Sequence, residues 1–203
     1  MKGIKILSIL ILLGQPILFG QETVTTTVKY GFENPELQEL FEFQNIGVEK
    51  FEFESPKING KYYQVFIKEY KTGKLIDSKI LFDGTEIDQF KINSRLFDFK
   101  IFTEISKNNL KIQLRSKKYA SANRNYELTE NSSEYATKDF FGAKIAIENP
   151  LSKEFPLLAI ITPTKHSNGF SSYCEVVQSD IAPEKLGEHF NIPHYFLITM
   201  AFK

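Results

Sequence analysis

Along most of this chain apolar residues return at every second position, the spacing of a strand with one face in a core and the other in water. The segment TVTTTVKY, Thr23–Tyr30, sets Val24, Val28 and Tyr30 against threonine and lysine. The period then changes. Asn34 before Pro35, with Leu37, Leu40 and Phe41 at i, i+3 and i+4, predicts a short capped helix laid on one end or face of a sheet. Over residues 46–53 the apolar positions move from even (Ile46, Val48) to odd (Phe51, Phe53), and a β-bulge at Glu49 and Lys50 is the economical account.

Residues 61–70 carry Tyr63, Val65 and Ile67 on one face and Tyr62, Phe66 and Tyr70 on the other, as in a central strand covered on both sides. Lys71, Thr72 and Gly73 then turn the chain into residues 75–82, where Ile76, Ile80 and Phe82 are in phase. Residues 96–105 alternate most cleanly, with Phe97, Phe99, Ile101 and Ile105 inward, and Leu110, Ile112 and Leu114 answer after a turn at Lys107, Asn108 and Asn109. Residues 117–125 and 131–138 are polar and read as long loops around a short strand near residues 126–128.

Further strands are expected over residues 143–147, 155–162 and 172–178 and over His194–Phe202, with a second short helix between Asp180 and Phe190. About ten short strands, separated by turn signals every eight to twelve residues or so, predict a mainly β fold. The expected architecture is an antiparallel two-sheet β-sandwich with one or two short helices, formed as a single domain over residues 21–203.

The first twenty residues stand outside this pattern. Lys2 and Lys5 precede an almost wholly aliphatic stretch over residues 4–13, which Gly14, Gln15 and Pro16 break, as in a secretory signal peptide cut after Gly20. The stretch is shorter than the roughly 18 residues of a spanning helix, so no membrane span is expected after its removal. The reading is an exported protein, in the periplasm or outside the cell. Cys174 is the only cysteine, so an internal disulfide is excluded and core burial alone must hold the domain. Lys and Arg total 25 against 25 Asp and Glu, and the leader takes two lysines with it. With no net basic field, nucleic acid is not an expected partner.

Candidate chemistry gathers late in the chain, where all three histidines lie. His166, Tyr173, His189 and His194 are the candidate ligand-binding residues, toward a protein or glycan partner. Neither a metal nor a cofactor is expected: His189 and His194 lie five apart without a second cysteine, and their plain roles are a helix end and a strand start. A nucleophile formed by Cys174 with His166 and Asp180 is weighed against core packing of Cys174 in a strand, and packing is favoured. GxSxG, Walker, HExxH and GxGxxG motifs are missing. The lysines of residues 68–74 and at 117 and 118 read as guards of solvated edge strands. Of the 28 aromatic residues none is Trp, which weakens a sugar-stacking surface and favours a core role.

These features point to a non-enzymatic binding or envelope-interaction module, with a carbohydrate-binding protein or a glycan-active hydrolase using the C-terminal histidines as the alternative. Two stretches, GKYYQVFIKEYKTGKLIDSKILFDGTE at residues 60–86 and LLAIITPTKHSNGFSSYCEVVQSDIAPEKLGEHFNIPHYFLITM at residues 157–200, resemble a family of exported proteins of about 200 residues from gut-type Bacteroides and their relatives, described only as a domain of unknown function. The resemblance implies a bacterial envelope or extracellular setting and assigns no catalytic residue, ligand or partner.

Overall fold

The computed structural model describes residues 21–165, 171–173 and 181–203. Its strands are β1 (Thr23–Tyr30), β2 (Ile46–Glu54), β3 (Tyr63–Lys71), β4 (Lys74–Asp83), β5 (Leu96–Ser106), β6 (Asn109–Arg115) and β7 (Arg124–Glu127). Then come β8 (Ala136–Asp139), β9 (Ala146–Pro150), β10 (Phe155–Ile161), the two-residue β11 (Thr164–Lys165) and β12 (Ser171–Ser172), and β13 (His194–Phe202). Helix α1 spans Pro35–Phe43 and the five-residue α2 spans Leu186–Phe190.

Two antiparallel sheets form a β-sandwich, six strands in the order β7-β6-β5-β2-β1-β9 against five in the order β4-β3-β13-β10-β8. The aromatic residues in strand phase knit the sheets together. Phe53 of β2 reaches the rings of Phe155 on β10 and Phe202 on β13 at centroid distances of 6.5 and 6.0 Å. Tyr63 of β3 lies 4.6 Å from Phe97 of β5, and its hydroxyl hydrogen-bonds that of Tyr119. Rings of this size dominate core energetics, and offset or edge contacts add about 0.5–1.5 kcal/mol each beyond burial. A smaller layer on the outer face of the five-stranded sheet packs Tyr70, Tyr195 and Leu197 beneath Leu186 of α2 and Ile192.

Local chemistry explains the corners. Thr72 and Gly73, with φ of 48° and 75°, close the β3–β4 hairpin, and Lys107 and Asn108, at 47° and 57°, close β5–β6; positive φ at both central positions matches the twist of the flanking strands. Asn34 caps α1 through its side-chain oxygen, which accepts from the Leu37 N–H at 3.0 Å.

The structure differs from the sequence pattern at four places. β2 carries no bulge: its pairing with β5 runs unbroken from Ile46 opposite Glu104 to Glu54 opposite Leu96. Gly47, Glu49, Phe51 and Phe53 therefore share the inward face, and Val48 points the other way. Register shifts lie instead along β4, where Leu81 and Ile76 are skipped in the pairing with β3, and in β10, where Leu157 is skipped in the pairing with β13. Residues 136–138, expected as loop, belong to β8, which pairs with β10. Ile145, inside the strand expected over residues 143–147, is 90% exposed because β9 begins only at Ala146 and pairs with β1 through Pro150. Helix α1 covers little, since Leu37, Leu40 and Phe43 are all exposed and only Phe41 turns inward, against Phe32 at 4.6 Å.

Candidate functional site: a polar cleft between the sheets

At the end of the sandwich where β1 stops, the inward face changes from aromatic to polar. Tyr30 of β1 stands opposite Glu49 of β2, and Gly47 of β2 opposite Thr103 of β5. Across from them runs β8 of the other sheet. Two hydrogen bonds join the sheets here: Tyr30 donates to Asp139 Oδ2 at 2.7 Å, and the hydroxyls of Thr103 and Thr137 meet at 3.4 Å. Between these bridges and the 3-10 turn Ser132–Glu134 lies a cavity of about 610 Å³, whose lining includes Glu49, Thr103, Ser132, Ser133, Tyr135 and Thr137. A second cavity of about 200 Å³, beside α1, shares Glu42, Ile46, Gly47 and Glu49 with the first. It opens where β2 loses its neighbour beyond Tyr30.

Glu49 is the chemical centre of this cleft. It is 7% exposed, and its Oε2 is buried without a hydrogen-bond partner. Burial, with the negative charge of Asp139 added, pushes its carboxyl from 4.5 up to about 8, so the group is mainly protonated at neutral pH. A neutral carboxyl both donates and accepts a hydrogen bond. Gly47 preserves the space around it, since a Cβ there would meet Thr103 Oγ1 at 2.6 Å and Glu49 Oε1 at 3.3 Å.

The opposite wall is held from behind. The Tyr135 hydroxyl lies 2.6 Å from Nδ1 of His194, and His194 Nε2 lies 3.0 Å from Glu69 Oε1. The Thr129 N–H also points at Nδ1, at 3.4 Å. An atom that accepts from a backbone N–H carries no proton, so the tautomer bears it on Nε2, donates to Glu69, and accepts from Tyr135 at Nδ1. Burial lowers the His194 pKa against the opposing pull of Glu69, which keeps the imidazole neutral. Lys71 shares the same carboxylate oxygen, Nζ to Oε1 at 3.1 Å.

The four residues singled out from the sequence fare differently. His194 is fully buried, one shell behind the cleft, where it orients Tyr135. Tyr173 stands behind the same wall: its hydroxyl donates to the Glu134 carbonyl at 2.8 Å, and Lys138 Nζ sits 5.2 Å from its ring centre. His189 is exposed on α2, edge-on to Phe190, on the outer side of the other sheet. His166 lies outside the described residues, as do Cys174 and Asp180. Spacing alone does not single out Glu49, Thr103 or Thr137 as site residues, although the break in apolar phase at Glu49 is the visible trace of the cleft.

Among the described residues no group of three or more His, Cys, Asp or Glu is placed to hold a metal ion, and no helix is long and apolar enough to cross a membrane. Comparisons of the chain with protein-family profiles, with curated proteins and with solved structures return no match.

Proposed function

We propose that this chain is an exported binding module that holds a neutral, hydroxyl-rich ligand, a segment of glycan, in the cleft between its sheets. The observation that carries this reading is Glu49: a buried carboxyl with an unpartnered oxygen, in the lining of a cavity of about 610 Å³. Leaving such an atom unpaired costs about 1–3 kcal/mol, so a group that pairs with it on binding gains that amount back. The remaining lining supports a sugar over an apolar ligand, with the hydroxyls of Thr103, Ser132, Ser133 and Thr137 able to donate and accept in turn. A volume of this size also falls within the roughly 300–1,000 Å³ of small-molecule sites.

Binding rather than hydrolysis is favoured by the state of the other acids. Glycoside hydrolysis uses two carboxyl groups flanking the bond. Here Asp139 is occupied by the Tyr30 hydroxyl and the Phe141 N–H, and Glu42 at the rim by Gln38. The leader-like first twenty residues and the resemblance to exported envelope proteins support a location in the periplasm or outside the cell. The test is a glycan array probed with the purified protein and with Glu49→Met, which removes both polar atoms at similar bulk. Retention of neutral oligosaccharides, weakened roughly tenfold or more in Glu49→Met, is expected. An array that retains nothing, or retention unchanged by the substitution, overturns the reading.

A further inference from the structure

We propose that the outer face of the six-stranded sheet carries a second site, for an oxyanion: a phosphate or sulfate ester held by Lys100, Arg115 and Lys117. The sheet register places Lys29 opposite Lys50, Lys50 opposite Lys100, and Lys100 opposite Arg115, so four cations stand in one row across β1, β2, β5 and β6. Like charges directly opposite on neighbouring strands destabilise a sheet. Guarding an edge does not account for this row, because β2 and β5 are interior strands.

The row is only half neutralised. Glu52 lies 2.5 Å from Lys50 and 3.3 Å from Lys29, and Asp98 lies 3.2 Å from Lys50. Lys100, Arg115 and Lys117 have no ion-pair partner among the described residues, and all three line a cleft of about 670 Å³. The two acids in that lining are Asp98, committed to Lys50, and the exposed Glu33.

The cleft is built, not merely charged. Gly31, at φ 65°, turns the chain after β1 over the outer face, in a conformation that glycine adopts without strain. Gln38 of α1 fixes that turn by accepting the Phe32 N–H at 2.9 Å. Phe32 then stands over the row, with the Lys100 ammonium 5.6 Å from its ring centre, and half-buried Phe102 supplies an apolar floor. Neighbouring strands lie about 4.8 Å apart, so the head groups of Lys100 and Arg115 can converge on a single tetrahedral anion. Arg adds a planar fork that grips two of its oxygens.

The test is two-dimensional NMR of the ¹⁵N-labelled protein titrated separately with inorganic phosphate, inorganic sulfate, acetate, dextran sulfate and uncharged dextran. Saturable shifts from phosphate or sulfate, confined to residues near 32, 100 and 115–117 and weakened roughly tenfold or more in Arg115→Glu/Lys117→Glu, support the site. Dextran sulfate binding at the same residues places the ester on a polymer; its absence beside phosphate binding places it on a small molecule. Both changed residues are exposed, so the spectrum of the variant reports its fold directly. Shifts spread equally over distant lysines such as Lys74 and Lys153, shifts unchanged in the double variant, or binding of dextran sulfate without either inorganic anion would overturn it.

Discussion

Glu49→Gln removes an ionisable carboxyl from the inter-sheet cleft while keeping its shape. The folded carboxyl titrates near 8 against an ordinary 4.5, and at about 1.4 kcal/mol per decade that gap corresponds to about 5 kcal/mol between the protonation states. The folded state binds its proton more tightly than the unfolded chain. The advantage to folding is therefore full below pH 4.5, shrinks as pH rises, and is gone above about 8. By pH 7 about 3 kcal/mol of it is already lost, because the unfolded glutamate has ionised and the folded one has not. Replacing Glu49 with Gln should therefore stabilise the protein by about 3 kcal/mol at pH 7, roughly 10 °C in Tm for a domain of this size. Paired denaturant or thermal unfolding of both proteins from pH 4 to 9 reads the effect. His194, held neutral by burial, weakens folding as pH falls below 6.5, but it does so in both proteins and cancels in the difference. A variant that is no more stable at pH 7, with the same pH slope as the parent, would refute the reasoning.

Tyr135→Phe leaves Nδ1 of buried His194 without its 2.6 Å hydroxyl partner, which should cost about 1–3 kcal/mol in unfolding experiments. It should also raise the His194 pKa little, since burial and not Tyr135 is what lowers it; the imidazole proton shifts in NMR report this. Gly47→Ala should abolish ligand retention on a glycan array while the fold persists, because its Cβ would occupy the space beside Thr103 Oγ1 and Glu49. Phe53→Ala opens the centre of the core between Phe99, Phe155 and Phe202, and a loss of about 3–5 kcal/mol is expected by chemical denaturation.

The strands whose inward positions are mainly apolar were readable from spacing alone, even with Thr26, Thr103 and His194 buried among them. β1, the β5–β6 hairpin and β13 needed no tertiary knowledge, because period-2 alternation or an unbroken apolar run leaves one conformation able to bury them. β8 was not readable. Its four residues, ATKD, contain no large apolar side chain, and it is a strand only because β10 offers it an edge. At Glu49 the sequence carries a trace that spacing alone leaves ambiguous: a polar residue in an inward position looks like a slip in register, since burying a carboxyl is costly. Pairing on both sides of β2 forbids the slip, so the cost is borne. His194 shows the opposite limit. Its residue type draws attention to it, yet only the fold shows that Glu69, 125 positions away, pairs with its Nε2 and that it reaches the cleft through Tyr135.

The cleft is built around one side chain, and the ¹³C resonance of the Glu49 carboxyl tests its state most directly. Followed from pH 4 to 10 in the labelled protein, it should titrate with a midpoint of about 8 and move further on addition of a retained glycan. A midpoint near 4.5, indifferent to any glycan, would contradict both the buried neutral carboxyl and the cleft built around it.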